Sequence, residues 1–400
     1  MRIAIFTETF LPKVDGIVVK VCRLLEHLEK RGHSALVFAP GGSPKVYSGA
    51  KIFSFRSVHV PFYPELNISP PWAVVENKLR EFQPDLIHLV NPVSLGLAGL
   101  RAAKLFQIPV IASYHTDVPG FAEHWNLGFL SNSIYRYARW IHNRVDLNVC
   151  PSEFTRKQLY EHNFERVEIW RGGVDIKLYS PEKRSMEMRS YLSANQPERT
   201  LLLYVGRVSP EKRIDRIYPI LKKYPEVRLA IIGDGPSRAD LEKKFADTDT
   251  IFTGYLQGEQ LAAAYASGDI FTFTGDKETF GNVVVEAMAS GLPVLAPNSG
   301  GVTDLVIDQY NGRQYDPYKP NSMIKAAKTM IKNPDLAKEY GRRGRQLAEG
   351  RTWEITLDEL LTHYQKIIDM DKPRGRFRWL IWERRPLSTE LNEFRERWFK

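Results

Sequence analysis

Residues 275–294, Gly-Asp-Lys-Glu-Thr-Phe-Gly-Asn-Val-Val-Val-Glu-Ala-Met-Ala-Ser-Gly-Leu-Pro-Val, set Glu278 and Glu286 eight positions apart among small and apolar neighbours. Paired carboxylates serve as nucleophile and acid in glycoside hydrolysis. On one continuous helix this spacing would be about 12 Å of rise. Gly281 predicts instead that a helix starts between them, leaving Glu278 in a loop and Glu286 on the second turn, so the two are not read as an acid–base pair. An ionised Glu286 among Val283–Val285 and Ala287–Ala289 is costly unless hydroxyls or a cation satisfy it. For each glutamate the plain alternative is an ion pair with a nearby Lys or Arg.

A second group lies in Gly206-Arg-Val-Ser-Pro-Glu-Lys-Arg213, read as the loop from a strand into a helix. Gly206 opens it, and Arg207 and Lys212 at a strand end have the charge to neutralise a diphosphate; a surface pairing with Glu211 is the alternative. The expected helix at Gly281 adds the free N–H groups of Gly281, Asn282 and Val283, an anion site made of backbone alone. After the first strand the chain carries Gly16 by itself, not G-x-G-x-x-G, which disfavours a nicotinamide enzyme. Gly16 at a helix start still permits close backbone approach to a phosphate or sugar, with an ordinary turn glycine as the alternative. His115 follows the apolar run 109–114 and is placed at a strand end, as a hydrogen-bond donor or as a structural histidine.

The elements that must position these residues alternate. Short apolar runs at 2–6, 35–39, 85–90, 109–114 and 146–150 are separated by helix-like segments, and a second series follows at 201–205, 227–232, 250–253, 270–274 and 292–296. The pattern predicts two doubly wound, Rossmann-like α/β domains with a ligand-binding cleft at their strand ends, then a helical stretch from Pro320 to about Met370. The expected organisation is 1–175, a linker at 176–199, 200–350, and a C-terminal extension at 351–400 whose helix returns to the first domain. Asp247-Thr-Asp249 falls before the strand at 250, at its entering end, and reads as a plain loop rather than a metal site.

Bulk composition narrows the classes. At 400 residues with 43% hydrophobic content the chain has material for two cores, and Cys22 and Cys150, far apart in apolar contexts, suit a reducing compartment. Neither a signal peptide nor an apolar run of about 18 residues is found, so a soluble or peripheral protein is expected. The net charge is +9, and residues 371–400 hold nine Lys or Arg against five acids, together with Trp379, Trp382 and Trp398. Nucleic-acid motifs are lacking.

Taken together, Glu278–Glu286 as E-x7-E, Gly206-Arg-Val-Ser-Pro-Glu-Lys, Gly233-Asp-Gly-Pro, Arg171-Gly-Gly-Val-Asp175 and Asp15-Gly16 make the chain resemble retaining glycosyltransferases of the GT-B fold, family four, up to about Met370. Phe6-Thr-Glu-Thr-Phe-Leu-Pro-Lys-Val-Asp-Gly and residues 252–269 are similar to bacterial sulfolipid synthases, which transfer sulfoquinovose from UDP to diacylglycerol. Residues 274–281 and Tyr114-His-Thr-Asp-Val-Pro-Gly are also similar to GDP-mannose-dependent mannosyltransferases.

The resemblance implies a UDP-sugar or GDP-sugar donor, a lipid acceptor such as diacylglycerol, front-face attack without a side-chain nucleophile, and no metal or other cofactor. It implies catalytic roles for His115, Arg207, Lys212 and Glu278, and donor binding by Gly16, Gly206, Arg207, Lys212, Gly254, Tyr255, Leu256, Glu278, Phe280, Gly281, Asn282, Val283 and Glu286. Glu278 would meet the sugar's C3 and C4 hydroxyls, Glu286 the ribose, and His115 a sugar oxygen. Asp117 stands where sulfolipid synthases carry a second histidine, and a carboxylate there would repel a sulfonate. The interleaved Arg and Trp of 374–386, and the aromatic, cationic stretch 125–144, are expected to seat a cytoplasmic protein on a membrane face; both could instead pack on the protein itself. A same-fold epimerase or phosphorylase, or a non-catalytic nucleotide-sugar or lipid-binding module, is the alternative class.

Overall fold

A computed structural model describes the backbone of residues 1–13, 15–55, 58–60, 63–68, 72–115 and 128–375, and their side chains except at 58–60, 63–68, 72–73, 128–131 and 372–375. The first strands are β1 (Arg2–Thr7), β2 (Ser34–Pro40), β3 (Val46–Tyr47), β4 (Ala50–Phe55), β5 (Val58–Val60), β6 (Tyr63–Ile68), β7 (Leu86–Val90), β8 (Val110–Ser113), β9 (Leu147–Cys150) and β10 (Val167–Ile169). Eight of them form one sheet in the order β10-β9-β8-β7-β1-β2-β4-β3, parallel except for the β3–β4 pair, while β5 and β6 make a separate hairpin. A second sheet contains β11 (Leu201–Val205), β12 (Arg228–Ile232), β13 (Thr250–Gly254), β14 (Ile270–Thr272), β15 (Val294–Pro297) and β16 (Gly312–Tyr315). Its order, β13-β12-β11-β14-β15-β16, is the doubly wound Rossmann order.

Both sheets follow from the same sequence property. Central strands such as β7 and β11 are buried along their whole length, so they read as continuous apolar runs. Strand order reverses between β1 and β7, and between β11 and β14, which opens a crevice at the carboxyl ends of these strands. Helix Gly16–Lys30 begins after β1 because Asp15 caps it, its Oδ1 accepting from the N–H of Ile17 and of Val18 at 2.9 Å.

The strands that the apolar pattern does not show are β3, β4, β10, β16 and the β5–β6 hairpin. They are short or lie toward sheet edges: β10 offers only Val-Glu-Ile, and β16 is Gly-Arg-Gln-Tyr with half-exposed central residues. The polar stretch read as a linker is folded. Its helix Met186–Leu192 lies against the helix Gly258–Ser267, where buried Arg189 donates to the carbonyls of Pro197, Ser267 and Arg199 and pairs with Asp269 at 2.7 Å.

The C-terminal helix Trp353–Gly375 buries Leu357, Leu360, Tyr364 and Ile367 in the core formed by β1 and helix Gly16–Lys30. Lys30 pairs with Glu354 at 3.0 Å, and His27 and Arg31 both meet Asp358. Deeper in, Tyr364 Oη lies 2.6 Å from Nδ1 of buried His88, whose Nε2 is 3.0 Å from Ser113 Oγ; burial pushes the His88 pKa down to about 3, so the imidazole is neutral. The seam therefore has ion pairs at its outer edge and a neutral hydrogen-bond chain in its apolar interior.

Among the described residues no helix is long and apolar enough to cross a membrane. Residues 376–386 of the basic aromatic segment, and Asp117, lie outside the described residues. In the other membrane-facing candidate, Trp140 of the helix Gly128–His142 packs half-buried on the first-domain core, while Tyr137, whose Oη donates to the Val93 carbonyl at 2.8 Å, and Arg144 just past the helix, 4.3 Å from the Trp140 ring, are exposed. We expect Tyr364→Phe to cost about 1–3 kcal/mol by leaving Nδ1 of buried His88 without its partner, seen as a lower urea midpoint with native circular dichroism retained.

Candidate active site in the interdomain cleft

Three loops at the carboxyl ends of the second sheet build one wall. The loop after β11 does not enter an α-helix at once; it forms a 3-10 turn, Pro210–Lys212, because Ser209 precedes Pro210 and Arg213 takes the left-handed conformation. Gly233 and Gly235 of the loop after β12 have φ of 134° and 158°, and a Cβ on either would lie 2.0 or 2.4 Å from a carbonyl of Gly206 or Val208. Glycine there lets the two backbones touch, and Val208 N donates to Asp234 O at 2.9 Å. Arg207 projects from this loop as an exposed side chain.

The loop after β14 carries the first glutamate. Arg216 holds it from below, bonding Thr274 O at 3.1 Å and Asp276 at 2.9 Å. Lys212 Nζ reaches Glu278 Oε2 at 2.7 Å, with both side chains about a quarter exposed. The Lys212 ammonium and its hydrogen bond hold Glu278 below the usual carboxylate range against desolvation. Burial opposes the charge on Lys212, but Glu278 outweighs it and raises the Lys212 pKa. Lys212 thus pairs with Glu278, and Glu211 instead accepts from Ser209 Oγ.

Helix Asn282–Ala289 starts where the sequence places it. Gly281 is its N-cap with φ 96°, a conformation costly for any residue with a Cβ, and no side chain caps the helix. Glu286 on the second turn accepts from Tyr265 Oη at 2.9 Å and has no ion-pair partner among the described residues. Burial raises its pKa to about 7 despite that bond. Beyond the helix, Gly254 (φ 73°) and Leu256 flank exposed Tyr255, whose hydroxyl donates to Asp234 O at 3.0 Å, and Val283 is half-buried.

The first domain supplies the other wall, and Thr279 joins the two. Its carbonyl accepts from Ser152 Oγ at 2.7 Å and Thr155 Oγ1 at 3.2 Å, while its hydroxyl donates to His115 O at 2.8 Å. Asn282 sits between Gly16 and Gly172: a Cβ on Gly16 would be 3.0 Å from Asn282 Nδ2, and one on Gly172 2.7 Å from Asn282 Oδ1 and 2.6 Å from Phe280. His115 is buried with its ring 5.3 Å from Trp170, and neither ring nitrogen has a hydrogen-bond partner among the described residues. Burial, with Lys20 nearby, holds it neutral.

Gly16, His115, Lys212, Glu278 and Phe280–Val283 therefore border one cleft. Glu286 and Tyr255 stand deeper in the second domain and along its rim. Asp247 is tied to Lys222 at 2.9 Å and Asp249 to Arg228 at 3.0 Å, on the far side of the sheet. The sequence reading missed Lys20, Trp170 and Thr279. Lys20 was signalled by being the charged residue in Ile17-Val-Val-Lys-Val-Cys22, one turn after Gly16.

The fold thus sets two doubly wound domains around a cleft, with an uncapped helix N-terminus at Gly281 suited to an anionic ligand. Residues 14–178 match Glycosyltransferase Family 4, and residues 192–347 match Glycosyl transferases group 1. A GDP-mannose-dependent alpha-mannosyltransferase of Mycolicibacterium smegmatis is 37% identical, covering 92% of this chain and 98% of that protein. A sulfoquinovosyl transferase of Arabidopsis thaliana is 32% identical over 90% of this chain and 72% of that protein. The fold of sucrose-phosphate synthase from Thermosynechococcus elongatus superposes with a TM-score of 0.77 at 20% identity, over 92% of this chain and 99% of that one. The chain belongs to the group 1, family four glycosyltransferases, and its fold is GT-B.

A pair of ligand hydroxyls donating to both Glu286 oxygens is matched by the ionised carboxylate, which exists above its pKa of about 7 and is lost as pH falls. The affinity of UDP-glucose or GDP-mannose, whichever binds, should therefore drop below pH 7, approaching tenfold per unit in calorimetric titrations. Glu286→Gln should bind weakly and flatten that dependence.

Proposed function

We propose that this glycosyltransferase moves a sugar, with retention and without a metal, from a nucleoside diphosphate to the hydroxyl of a lipid acceptor such as diacylglycerol. The observation that carries the reading is the Lys212–Glu278 pair set beside the uncapped N-terminus at Gly281. A diphosphate entering there would replace Glu278 as the partner of Lys212. Arg207 and the amides of Gly281, Asn282 and Val283 would neutralise its remaining charge. Released from Lys212, Glu278 would accept from the sugar's C3 and C4 hydroxyls, and the ribose would donate to Glu286. Gly16, Gly206, Gly254, Tyr255, Leu256 and Phe280 complete the donor wall, and His115, neutral with open ring nitrogens, bonds a sugar oxygen.

In the reaction the bond from the anomeric carbon to the phosphate oxygen breaks as the acceptor oxygen bonds to the same face. The acceptor proton passes to the departing phosphate oxygen. Preorganised cations and amides around that phosphate supply the charge stabilisation. UDP-sulfoquinovose or a UDP-hexose is our first donor reading. The second reading is mannosyl transfer from GDP-mannose to a glycolipid, its donor supported by the mannosyltransferase relative at 37% identity. The cytoplasmic membrane face is the proposed workplace, since the acceptor is lipid and residues 371–400 carry a net +4.

The test is a panel of UDP-sulfoquinovose, UDP-glucose, UDP-galactose and GDP-mannose with diacylglycerol vesicles, products identified by lipid mass. One donor should yield a glycolipid, and Lys212→Ala should lower kcat by about 10²–10³-fold. Donor consumption with no lipid product, or full turnover by Lys212→Ala, would overturn the reading.

A further inference from the structure

Helix Gly16–Lys30 buries an apolar face formed by Val18, Val21, Leu24, Leu25 and Leu28, yet Lys20 is also buried, with 4% of its surface exposed. It stands one turn after Gly16 and so shares the cleft-facing side. Its ammonium lies 5.4 Å from the Trp170 ring of the first domain and 5.5 Å from the Phe280 ring of the second. It makes no hydrogen bond or ion pair to any described residue. Two ring faces hold a cation there without neutralising it.

The described groups around it compensate that charge only in part. Glu278, the carboxylate that acts on it, is hydrogen-bonded to Lys212 at 2.7 Å. Cys150 stays a thiol because burial raises its pKa to about 12, and His115 beside the same Trp170 face is neutral. Desolvation lowers the Lys20 pKa to about 8, so near pH 7 the side chain is still mainly an ammonium. A buried cation with no acceptor is costly, and a leucine or methionine at this place would fill the same space without the cost. Among the described residues none takes a hydrogen bond from it, and an oxyanion on the ligand would.

We infer that Lys20 is a specificity residue of the donor site, receiving an oxyanion carried by the transferred sugar, a sulfonate or carboxylate, in the corner formed by Trp170, Phe280 and His115. This inference rests on the donor site proposed above. The diphosphate already has Lys212, Arg207 and the amides at Gly281 on the second domain. Lys20 belongs to the opposite wall, with His115, where the sugar lies.

The experiment is calorimetric binding of UDP, GDP, UDP-glucose, UDP-glucuronate and UDP-sulfoquinovose to the full-length protein, Lys20→Met and Lys20→Arg. Wild type should bind one of the anionic-sugar donors roughly 10–100-fold more tightly than UDP-glucose. Lys20→Met should lose that preference while binding UDP within about twofold of wild type, and Lys20→Arg should keep most of it. Equal weakening of UDP and of every donor by Lys20→Met would overturn the inference by assigning the ammonium to the phosphates or to domain closure. An unchanged preference, or none in wild type, would overturn it as well. Failure of UDP, GDP and all donors to bind wild type would instead overturn the donor site itself.

Discussion

One residue, Thr279, ties the two halves of the molecule at the point where chemistry is expected. Its carbonyl takes two hydroxyls from the first domain and its own hydroxyl reaches the His115 backbone. Thr279 immediately follows Glu278 and is two residues before Gly281, so these bonds set the loop glutamate and the helix start relative to the opposite wall. A buried carbonyl with two donors and a buried hydroxyl with an acceptor leave no polar group to be repaid by solvent. The cleft geometry depends on that local satisfaction.

Around this tie, glycine supplies proximity. Gly300 and Gly301 bring the loop after β15 against the same segment: a Cβ on Gly301 would fall 2.0 Å from Thr279 O. Gly172 does the same from the first domain against Phe280 and Asn282. Charge is then placed within the contact. The Lys212–Glu278 pair keeps both groups ionised without a ligand, and so holds the cation and the carboxylate in readiness for separate partners. Glu286 differs: with a tyrosine as its partner and no cation, burial alone raises its pKa.

What the amino-acid sequence shows, and what it hides, divides along physical lines. The central strands are legible because burial on both faces makes them uninterrupted apolar runs, and the helix start at Gly281 is legible because a glycine stands just before Asn-Val-Val-Val. Edge strands such as β16 lack that signal, since half of each is exposed. Pairings between distant segments are not legible at all: nothing in the spacing of Lys212 and Glu278 within the second domain, 66 positions apart, or of Thr279 and His115 across the domains, 164 apart, announces contact. The polar stretch after Asp175 looks like a loose connection because its order comes from Arg189 bonding to carbonyls, which leaves no apolar period.

The central claim is that Lys212 exchanges Glu278 for a diphosphate at the Gly281 helix start. A crystal structure of the protein with UDP or GDP, whichever binds, tests it most directly. The account predicts phosphate oxygens within hydrogen-bond distance of Lys212 Nζ and of the N–H groups of Gly281–Val283, the ribose hydroxyls on Glu286, and Glu278 separated from Lys212. A nucleotide bound elsewhere, or bound with the Lys212–Glu278 pair intact and its phosphates away from that helix, would contradict it.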